Sequence, residues 1–300
     1  MRANAVASAL ATAVSDATEA SFEPLSLAPV AGGCIHTAYR LDGEDAAGKH
    51  SYFAKVNETG KAEMFAAEAE GLAALRAAGA VRVPDVVARG EDDERAWLVL
   101  EWLDLVPLET TSAAALGENL AALHRRPQER FGWGSNNYIG ASPQPNAWSN
   151  DWLEFWRTQR LHPQLRYAAH KRLPSRMIDR GERLLADSEI LLRDHKPAPS
   201  LLHGDLWGGN ASALADGTPA LFDPAVYVGD READLGMTEL FGGFPKDFAA
   251  AYRNAWPLTD GYSVRRDFYN VYHVLNHANL FAGDYVRQAE HAIEKVLAEL

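Results

Sequence analysis

The sequence predicts a protein of mixed α+β class, with a small β-rich first lobe and a larger helical second lobe. Two observations lead to this prediction. Up to about residue 104, short apolar runs contain many aromatic and β-branched residues, which is typical of strands. Beyond Pro107, apolar residues recur every three or four positions, as in helices that pack on a core. We therefore predict lobes at 1–104 and 105–300, with a cleft between them.

The first lobe is predicted to hold one main helix among strands. Residues 1–20 are rich in alanine but interrupted by polar residues, which favours an amphipathic N-terminal helix over a signal peptide. Ser51–Val56 is a predicted strand. Helical spacing over Met64–Ala78, closed by Gly79, predicts the main helix. Ala96–Leu103 is then expected to be a buried strand that runs into the connector.

The second lobe is predicted to be mainly helical. Three leucines at helical spacing, Leu116, Leu120 and Leu123, mark its first helix. The apolar run Pro219–Phe222 is a predicted short strand within this region. Further helices are expected at Trp152–Leu161, Ile178–Leu192, Phe248–Trp256 and Phe268–Phe281.

Composition narrows the classes of function. The chain has 300 residues, with 29 Lys and Arg against 41 Asp and Glu, a net charge of −12. This balance argues against nucleic acid as a partner, whose phosphates need a basic surface, and against a polybasic membrane anchor. The single cysteine, Cys34, excludes an internal disulfide and a Cys-based zinc cluster. We expect a cytoplasmic protein with neither nucleic-acid nor membrane partners.

The most informative string is His203-Gly-Asp-Leu-Trp-Gly-Gly-Asn210. Asp205 and Asn210 stand five positions apart on a Gly-containing loop, and Asp223 ends a short strand further along the chain. This spacing suits phosphoryl transfer, in which one carboxylate deprotonates a hydroxyl while an amide and a second carboxylate hold Mg²⁺ on ATP. Protein kinases share this spacing. Gly204 in place of their Arg, and Asp223-Pro in place of Asp-Phe-Gly, indicate a small-molecule kinase.

Other parts of a kinase follow in the expected order. Lys55 lies on a predicted strand, where a lysine can hold the α and β phosphates. Glu68 on the next helix is the predicted ion-pair partner of Lys55, with Glu70 as the alternative. An ordinary turn would explain the His-Gly-Asp string alone, but this ordered set favours a nucleotide site.

Two further segments are predicted to contact the nucleotide. The connector residues Glu101, Trp102 and Leu103 stand where a kinase hinge presents backbone groups to adenine. Gly32, Gly33 and Cys34 stand at the place of the phosphate loop, upstream of the lysine, although the full Gly-x-Gly-x-x-Gly motif is absent from the sequence.

Together these strings resemble the fructosamine kinase (ketosamine-3-kinase) family, in the aminoglycoside-phosphotransferase branch of the protein-kinase-like fold. The resemblance extends from Gly32 to His277. The strings that carry it, besides the one ending at Asn210, are Tyr52–Asn57, Phe131–Trp133, Asn137–Gly140, Phe222–Tyr227, Gly229–Asp234 and Glu239–Phe244. It implies a bilobal kinase-like fold and phosphorylation, by ATP, of the 3-hydroxyl of a ketosamine. The phosphorylated adduct would then decompose and free the amine, which is deglycation.

The resemblance also implies roles for single residues. Asp205 would be the catalytic base, while Asn210 and Asp223 would hold Mg²⁺. Asp234 resembles the buried kinase aspartate that accepts backbone N–H bonds from the catalytic loop, with His203 as a further structural support. Trp207 could offer its aromatic face to the sugar or simply pack against the loop.

Several alternatives stay open from the sequence. Cys34 could be a small buried side chain or an exposed thiol that links two chains and blocks ATP when oxidised. The acceptor could be a fructosamine, ribulosamine or erythrulosamine, free or protein-bound. Another small-molecule kinase, acting on an amino sugar or a choline-like alcohol, is the first alternative. A nucleotide-binding pseudokinase is disfavoured because the five residues expected for catalysis are all retained.

Overall fold

The computed structural model describes residues 2–31 and 35–300. Gly32, Gly33 and Cys34 lie outside these described residues, so their predicted contact with the nucleotide and the predicted Cys34-linked dimer stay predictions. Within the described ranges, no helix has both the length and the apolar character needed to cross a membrane.

The first part of the chain builds an antiparallel sheet with the strand order β1-β2-β3-β5-β4. Helix α1 precedes the sheet, and helix α2 connects β3 to β4. The bounds are α1 Arg2–Thr18, β1 Glu23–Val30, β2 Thr37–Asp45, β3 Gly48–Glu58, α2 Ala62–Ala78, β4 Val86–Glu91 and β5 Arg95–Glu101. The predicted N-terminal helix, main helix and two strands are therefore confirmed.

Helix α2 forms because its apolar residues fall on one face. Phe65, Leu72 and Leu75 are almost completely buried and belong to the core between the sheet and the helices that follow. The helix ends at Gly79, whose φ of 63° is left-handed and whose N–H donates to the carbonyls of Leu75 and Arg76. This is the helix end that a glycine at this position favours.

The remainder of the chain is mainly helical, and the predicted α+β class, with a β-rich first part and a helical second part, is confirmed. Short strands pair in three small sheets between the helices. The helices are α3 Thr110–His124, α4 Trp152–Phe155, α5 His162–His170, α6 Ser175–Leu192, α7 Arg231–Leu240, α8 Lys246–Ala255, α9 Tyr262–Phe281 and α10 Asp284–Leu297. The strands are β6 Leu105–Val106, β7 Asn137–Ile139, β8 Ser142–Gln144, β9 Ser200–Leu202, β10 Ala211–Leu214, β11 Pro219–Leu221 and β12 Tyr227–Gly229.

One predicted helix differs in detail from the sequence interpretation. Residues Trp152–Leu161 are helical, but Trp156–Leu161 form a π-helix that continues directly into α5. Both Trp156 and Arg160 are fully buried in this segment. The wider turn of a π-helix, which is common near functional sites, brings these two large side chains to the interior together.

Helices α3 and α8 approach each other closely at Gly117. A Cβ atom at this position would lie 2.3 Å from the carbonyl oxygen of Phe248 and 2.9 Å from the nitrogen of Tyr252. Since both are backbone atoms of α8, they can move only if the helix moves. The glycine is therefore required for this helix pair to pack.

We expect Gly117→Ala to lower the free energy of unfolding by about 1–3 kcal/mol, the range for overpacked interiors. Gly60→Ala is the matched control, because a Cβ atom there would meet no atom within 4 Å. Urea denaturation of the two variants checks this. Equal midpoints for both would contradict the packing argument.

Candidate active site

The loop from His203 to Asn210 is held on helix α7. It follows β9, which pairs with β12, and the Asp234 side chain on α7 lies beneath it. The Asp234 carboxylate accepts the backbone N–H groups of His203 at 2.7 Å and Gly204 at 2.9 Å, and accepts from Nε2 of His124 at 3.2 Å. Burial would raise the pKa of Asp234, but these donors lower it below the ordinary value. The backbone bonds expected of Asp234 are present.

Gly204 lets the Asp223 segment pass directly beside the loop. Its φ is +83°, and a Cβ atom would lie 2.0 Å from the carbonyl oxygen of Ala225. The Ala225 N–H also donates to the carbonyl of His203 at 2.9 Å. The arginine that protein kinases carry at this position would therefore not fit.

The His203 ring joins the same two segments. Its Nε2 donates to the carbonyl of Phe222 at 3.0 Å, and its Nδ1 accepts the N–H of Asp205 at 3.3 Å. Burial lowers the pKa of His203, which keeps the ring neutral with one donor and one acceptor nitrogen. His203 thus has the contacts of the structural support predicted from the sequence.

Asp205 and Asn210 are in direct contact within the loop. The Asn210 Nδ2 donates to the backbone carbonyl of Asp205 at 2.9 Å and to its Oδ2 at 3.3 Å. Burial, and next the negative charge of Asp223, raise the pKa of Asp205 to about 7. A carboxylate with this proton affinity is suited to accept a proton near neutral pH. Because the NH₂ group of Asn210 makes these bonds, its carbonyl oxygen is the atom that can bind a cation.

Lys55 joins the sheet, helix α2 and the Asp223 segment. Its Nζ lies 2.7 Å from Oε1 of Glu68 and 2.6 Å from Oδ1 of Asp223. Burial alone would lower the pKa of Lys55, but the two carboxylates raise it above the ordinary value, so the ammonium stays charged. Glu70, the alternative partner, instead accepts from the Ser135 hydroxyl at 2.8 Å.

Asp223 has an uncommon backbone conformation. Its φ of 57° lies in the left-handed region, which residues other than glycine rarely adopt and which is often found at functional sites. The side chain is 42% exposed although Oδ1 is held by Lys55. Its second carboxylate oxygen can therefore face a ligand. With the Asn210 carbonyl it forms a pair of hard oxygen donors, which fits Mg²⁺.

Helix α2 reaches the Asp223 segment at a glycine. A Cβ atom on Gly71 would lie 3.1 Å from Val226 and 3.3 Å from Pro224. Gly71 stands one helical turn after Glu68, on the same face. This close approach brings the Glu68 carboxylate to the lysine.

The connector segment is fixed by the side chain of its first residue. The Glu101 carboxylate binds the guanidinium of Arg82 and accepts the N–H of Asp85 at 3.1 Å. The Trp102 indole donates to Asp104 at 2.8 Å and lies under the guanidinium of Arg40. Leu103 is half-buried. The predicted contact of this segment with adenine involves backbone groups and stays a prediction.

Trp207 both packs on the loop and faces outward. A Cβ atom on Gly209 would lie 2.2 Å from the indole, so the ring covers this glycine. The side chain is nevertheless 42% exposed. The ring therefore has an exposed area as well as a packed edge.

The sequence interpretation gave no role to the β7–β8 hairpin, which holds the Asp223 segment from the other side. The Asn137 Nδ2 donates to the carbonyl of Val226 at 2.7 Å. The Gln144 Nε2 donates to the carbonyl of Ala225 at 3.2 Å and to Oδ1 of Asn137 at 2.9 Å, and its Oε1 accepts the Tyr272 hydroxyl at 2.7 Å. We name Asn137 and Gln144 the amide clamp. Asn137 opens one of the family strings, which was the one signal for it in the sequence.

Arg160 supports the amide clamp. Its guanidinium donates to Oδ1 of Asn146 at 2.8 Å, and Nδ2 of Asn146 donates to Oδ1 of Asn137 at 2.8 Å. The cation also lies 3.9 Å from the ring centroid of Tyr227. These buried contacts extend the support of the Asp223 segment into the π-helix.

Comparison with known proteins agrees with this geometry. The sequence model of the fructosamine kinase family matches residues 6–299. A protein of Synechocystis sp. named probable ketoamine kinase is 41% identical over 292 residues, which cover 96% of each chain. The crystal structure of a Haemophilus somnus protein assigned as a fructosamine-3-kinase has a TM-score of 0.86, 28% identity and 96% coverage of each chain.

A more distant structure is similar in fold alone. The LicA protein in complex with AMP has a TM-score of 0.61 at 14% identity, with 97% of this chain and 98% of LicA covered. The family match over nearly the whole chain, the ketoamine kinase relative and the kinase-like site together show that this chain is a kinase belonging to the fructosamine kinase family.

Proposed function

We propose that the protein transfers the γ-phosphoryl group of ATP to the 3-hydroxyl of a ketosamine, with Mg²⁺ as the metal ion. The observation that carries this proposal is the contact of Lys55, Glu68 and Asp223 beside the Asp205–Asn210 pair. The phosphorylated adduct then decomposes and releases its amine. The biological role would be deglycation in the cytoplasm.

Each residue has a separate task in this proposal. Asp205 accepts the proton of the attacking hydroxyl, for which its raised pKa of about 7 is suitable. Lys55, oriented by Glu68, binds the phosphates as a fixed cation. Asn210 and Asp223 would hold Mg²⁺, which neutralises phosphate charge when bound. Trp207 offers the exposed part of its indole to the sugar.

The nucleotide part of the proposal draws support from a structural neighbour. LicA, which shares the fold over nearly the whole chain, was crystallised with AMP. In this chain the predicted nucleotide contacts are Gly32, Gly33, Cys34, Lys55 and the connector residues Glu101, Trp102 and Leu103. Of these, Lys55 has the clearest geometry, because its ammonium is already held in place by two carboxylates.

We expect the protein, incubated with ATP, Mg²⁺ and a panel of fructosamine, ribulosamine and erythrulosamine adducts, to phosphorylate at least one of them. The phosphorylated ketosamine gains the mass of one phosphoryl group. Mass spectrometry of the adducts measures it. Asp205→Asn should lower turnover at least about 100-fold, since the base is lost, and leave ATP binding largely intact.

Full activity of Asp205→Asn would contradict the mechanism. Turnover of an aminoglycoside or choline, with no ketosamine phosphorylated, would instead overturn the proposed substrate. ATP binding without phosphorylation of any acceptor would indicate the nucleotide-binding alternative.

Asp223→Asn tests the metal ligand. We expect it to weaken Mn²⁺ binding, measured by electron paramagnetic resonance with ATP present, and to lower turnover at least about 100-fold, because a carboxylate ligand becomes a neutral amide. Asp216→Asn is the control, since Asp216 lies exposed in the turn before β11 and accepts from the Thr218 N–H. Equal Mn²⁺ affinity in the two variants would contradict the assignment.

Gln144→Leu tests the amide clamp as a positioning element. We expect kcat to fall about tenfold and the Mg²⁺ concentration needed for half-maximal activity to rise. The reason is that the Ala225 carbonyl and the Tyr272 hydroxyl lose their buried partner. Each unpaired group costs about 1–3 kcal/mol. Gln288→Leu, on the exposed side of α10, is the control. A lower melting temperature with unchanged kcat and Mg²⁺ dependence would show that the clamp stabilises the fold but does not position the site.

A further inference from the structure

Four aromatic rings form a cluster at the end of helix α9 that the proposed chemistry does not use. The His277 ring lies 4.9 Å from Phe241, 5.7 Å from Phe281 and 5.0 Å from Tyr285, as measured between centroids. We name these four residues the aromatic shelf. Phe241 and Phe281 are 39% and 45% exposed. Neighbouring exposed aromatic side chains, unlike single ones, indicate a binding surface.

The aromatic shelf begins beside the catalytic loop. A Cβ atom on Gly208 would lie 3.0 Å from both the carbonyl oxygen of Gly242 and the Cα of Gly243. Gly208 directly follows Trp207, and Gly242 directly follows Phe241. Trp207 and Phe241 therefore lie on backbone segments that touch each other.

Helices α7 and α9 connect the shelf to the catalytic loop. Asp234 on α7 holds the start of the catalytic loop, and the segment after α7 contacts its later part. Helix α9 packs on α7, where the Asn270 Nδ2 donates to the carbonyl of Gly236 at 2.9 Å. Lys55 and Glu68 reach the Asp223 segment from the sheet and α2, which are separate elements from α7 and α9.

The charged side chains beside the shelf are paired, and its histidine is neutral. The Nδ1 of His277 lies 2.8 Å from the carbonyl of His273, and burial lowers the pKa of His277, so its ring is neutral near pH 7. The carboxylate of Glu239, at the end of α7, is bound by Arg253, Arg266 and the Tyr262 hydroxyl. Asp284 and Arg287 beside Tyr285 pair with each other at 2.6 Å, so the shelf offers ring faces with paired charges at its edge.

We propose that the aromatic shelf binds the substituent on the nitrogen of the ketosamine and selects adducts whose amine carries an apolar or aromatic group. The inference rests on the proposed function. When the sugar hydroxyl is at Asp205 and the phosphates are at Lys55, the nitrogen substituent extends past Trp207, and the shelf is the adjoining surface. Ring faces bind apolar and aromatic groups through their large contact area.

Two ketosamines with the same sugar test this proposal, one made from glycine and one from phenylalanine. We expect the phenylalanine adduct to have a KM about tenfold lower than that of the glycine adduct. A tenfold change corresponds to the binding free energy of one or two aromatic contacts. Phe241→Ala and Phe281→Ala should each raise the KM of the phenylalanine adduct about three- to tenfold. The kcat, the KM of the glycine adduct and the KM of ATP should stay unchanged.

Two further variants make the result specific. Phe281→Tyr keeps the ring and should keep the low KM. Ile190→Ala removes an exposed apolar side chain on α6 and should change nothing. Equal KM values for the two adducts, or Phe241→Ala and Phe281→Ala variants that bind the phenylalanine adduct like the parent protein, would overturn the shelf and leave the kinase function standing. Phosphorylation of neither adduct nor any other ketosamine would overturn the proposed function and the shelf with it.

Discussion

The buried ammonium of Lys55 is the interaction on which the arrangement of the site depends. Burying a charge without partners is strongly unfavourable, and loss of one member of such a pair costs about 3–5 kcal/mol. Here the compensation comes from Glu68 on α2 and Asp223 after β11, at 2.7 and 2.6 Å. The sheet, the helix packed on it and a loop of the helical region must therefore all be in place before the lysine is satisfied. The stability of the fold and the geometry of the site have the same cause.

The left-handed backbone of Asp223 requires support from several directions. Such a conformation costs on the order of 1–3 kcal/mol and persists only where the surroundings enforce it. Gly71 allows α2 to approach from one side, and Gly204 allows the catalytic loop to approach from another. The amide clamp then binds the carbonyls of Ala225 and Val226. These contacts fix the backbone of the Asp223 segment, and the Lys55 ammonium binds Oδ1 of the carboxylate that it carries.

The sequence predicted those parts of the structure that depend on local pattern or on side-chain chemistry at fixed spacing. The end of α2 at Gly79 and the pairing of Lys55 with Glu68 follow from helical register, which the structure reproduces. The amide clamp could not be predicted, because Gln144 meets Ala225 and Tyr272 across 81 and 128 residues. The role of Arg160 could not be predicted either, because a charged residue in a helix is ordinarily exposed. Here Arg160 is fully buried against ring faces and amide oxygens. Family membership and fold class were predictable because long strings carry them; the contacts that hold the site in shape were not.

A chain with a net charge of −12 can bind an anionic substrate only through its local distribution of charge. Around the catalytic loop, Asp234 is neutralised by backbone N–H groups and His124, and Glu68 by Lys55. Asp223 retains exposed carboxylate surface, and its negative charge contributes to the raised pKa of Asp205. Triphosphate beside these two groups would add more negative charge than the single ammonium of Lys55 can balance. The site therefore requires a cation for electrostatic reasons as well as for the chemistry of phosphoryl transfer, and the oxygen donors of Asn210 and Asp223 stand where such a cation would be held.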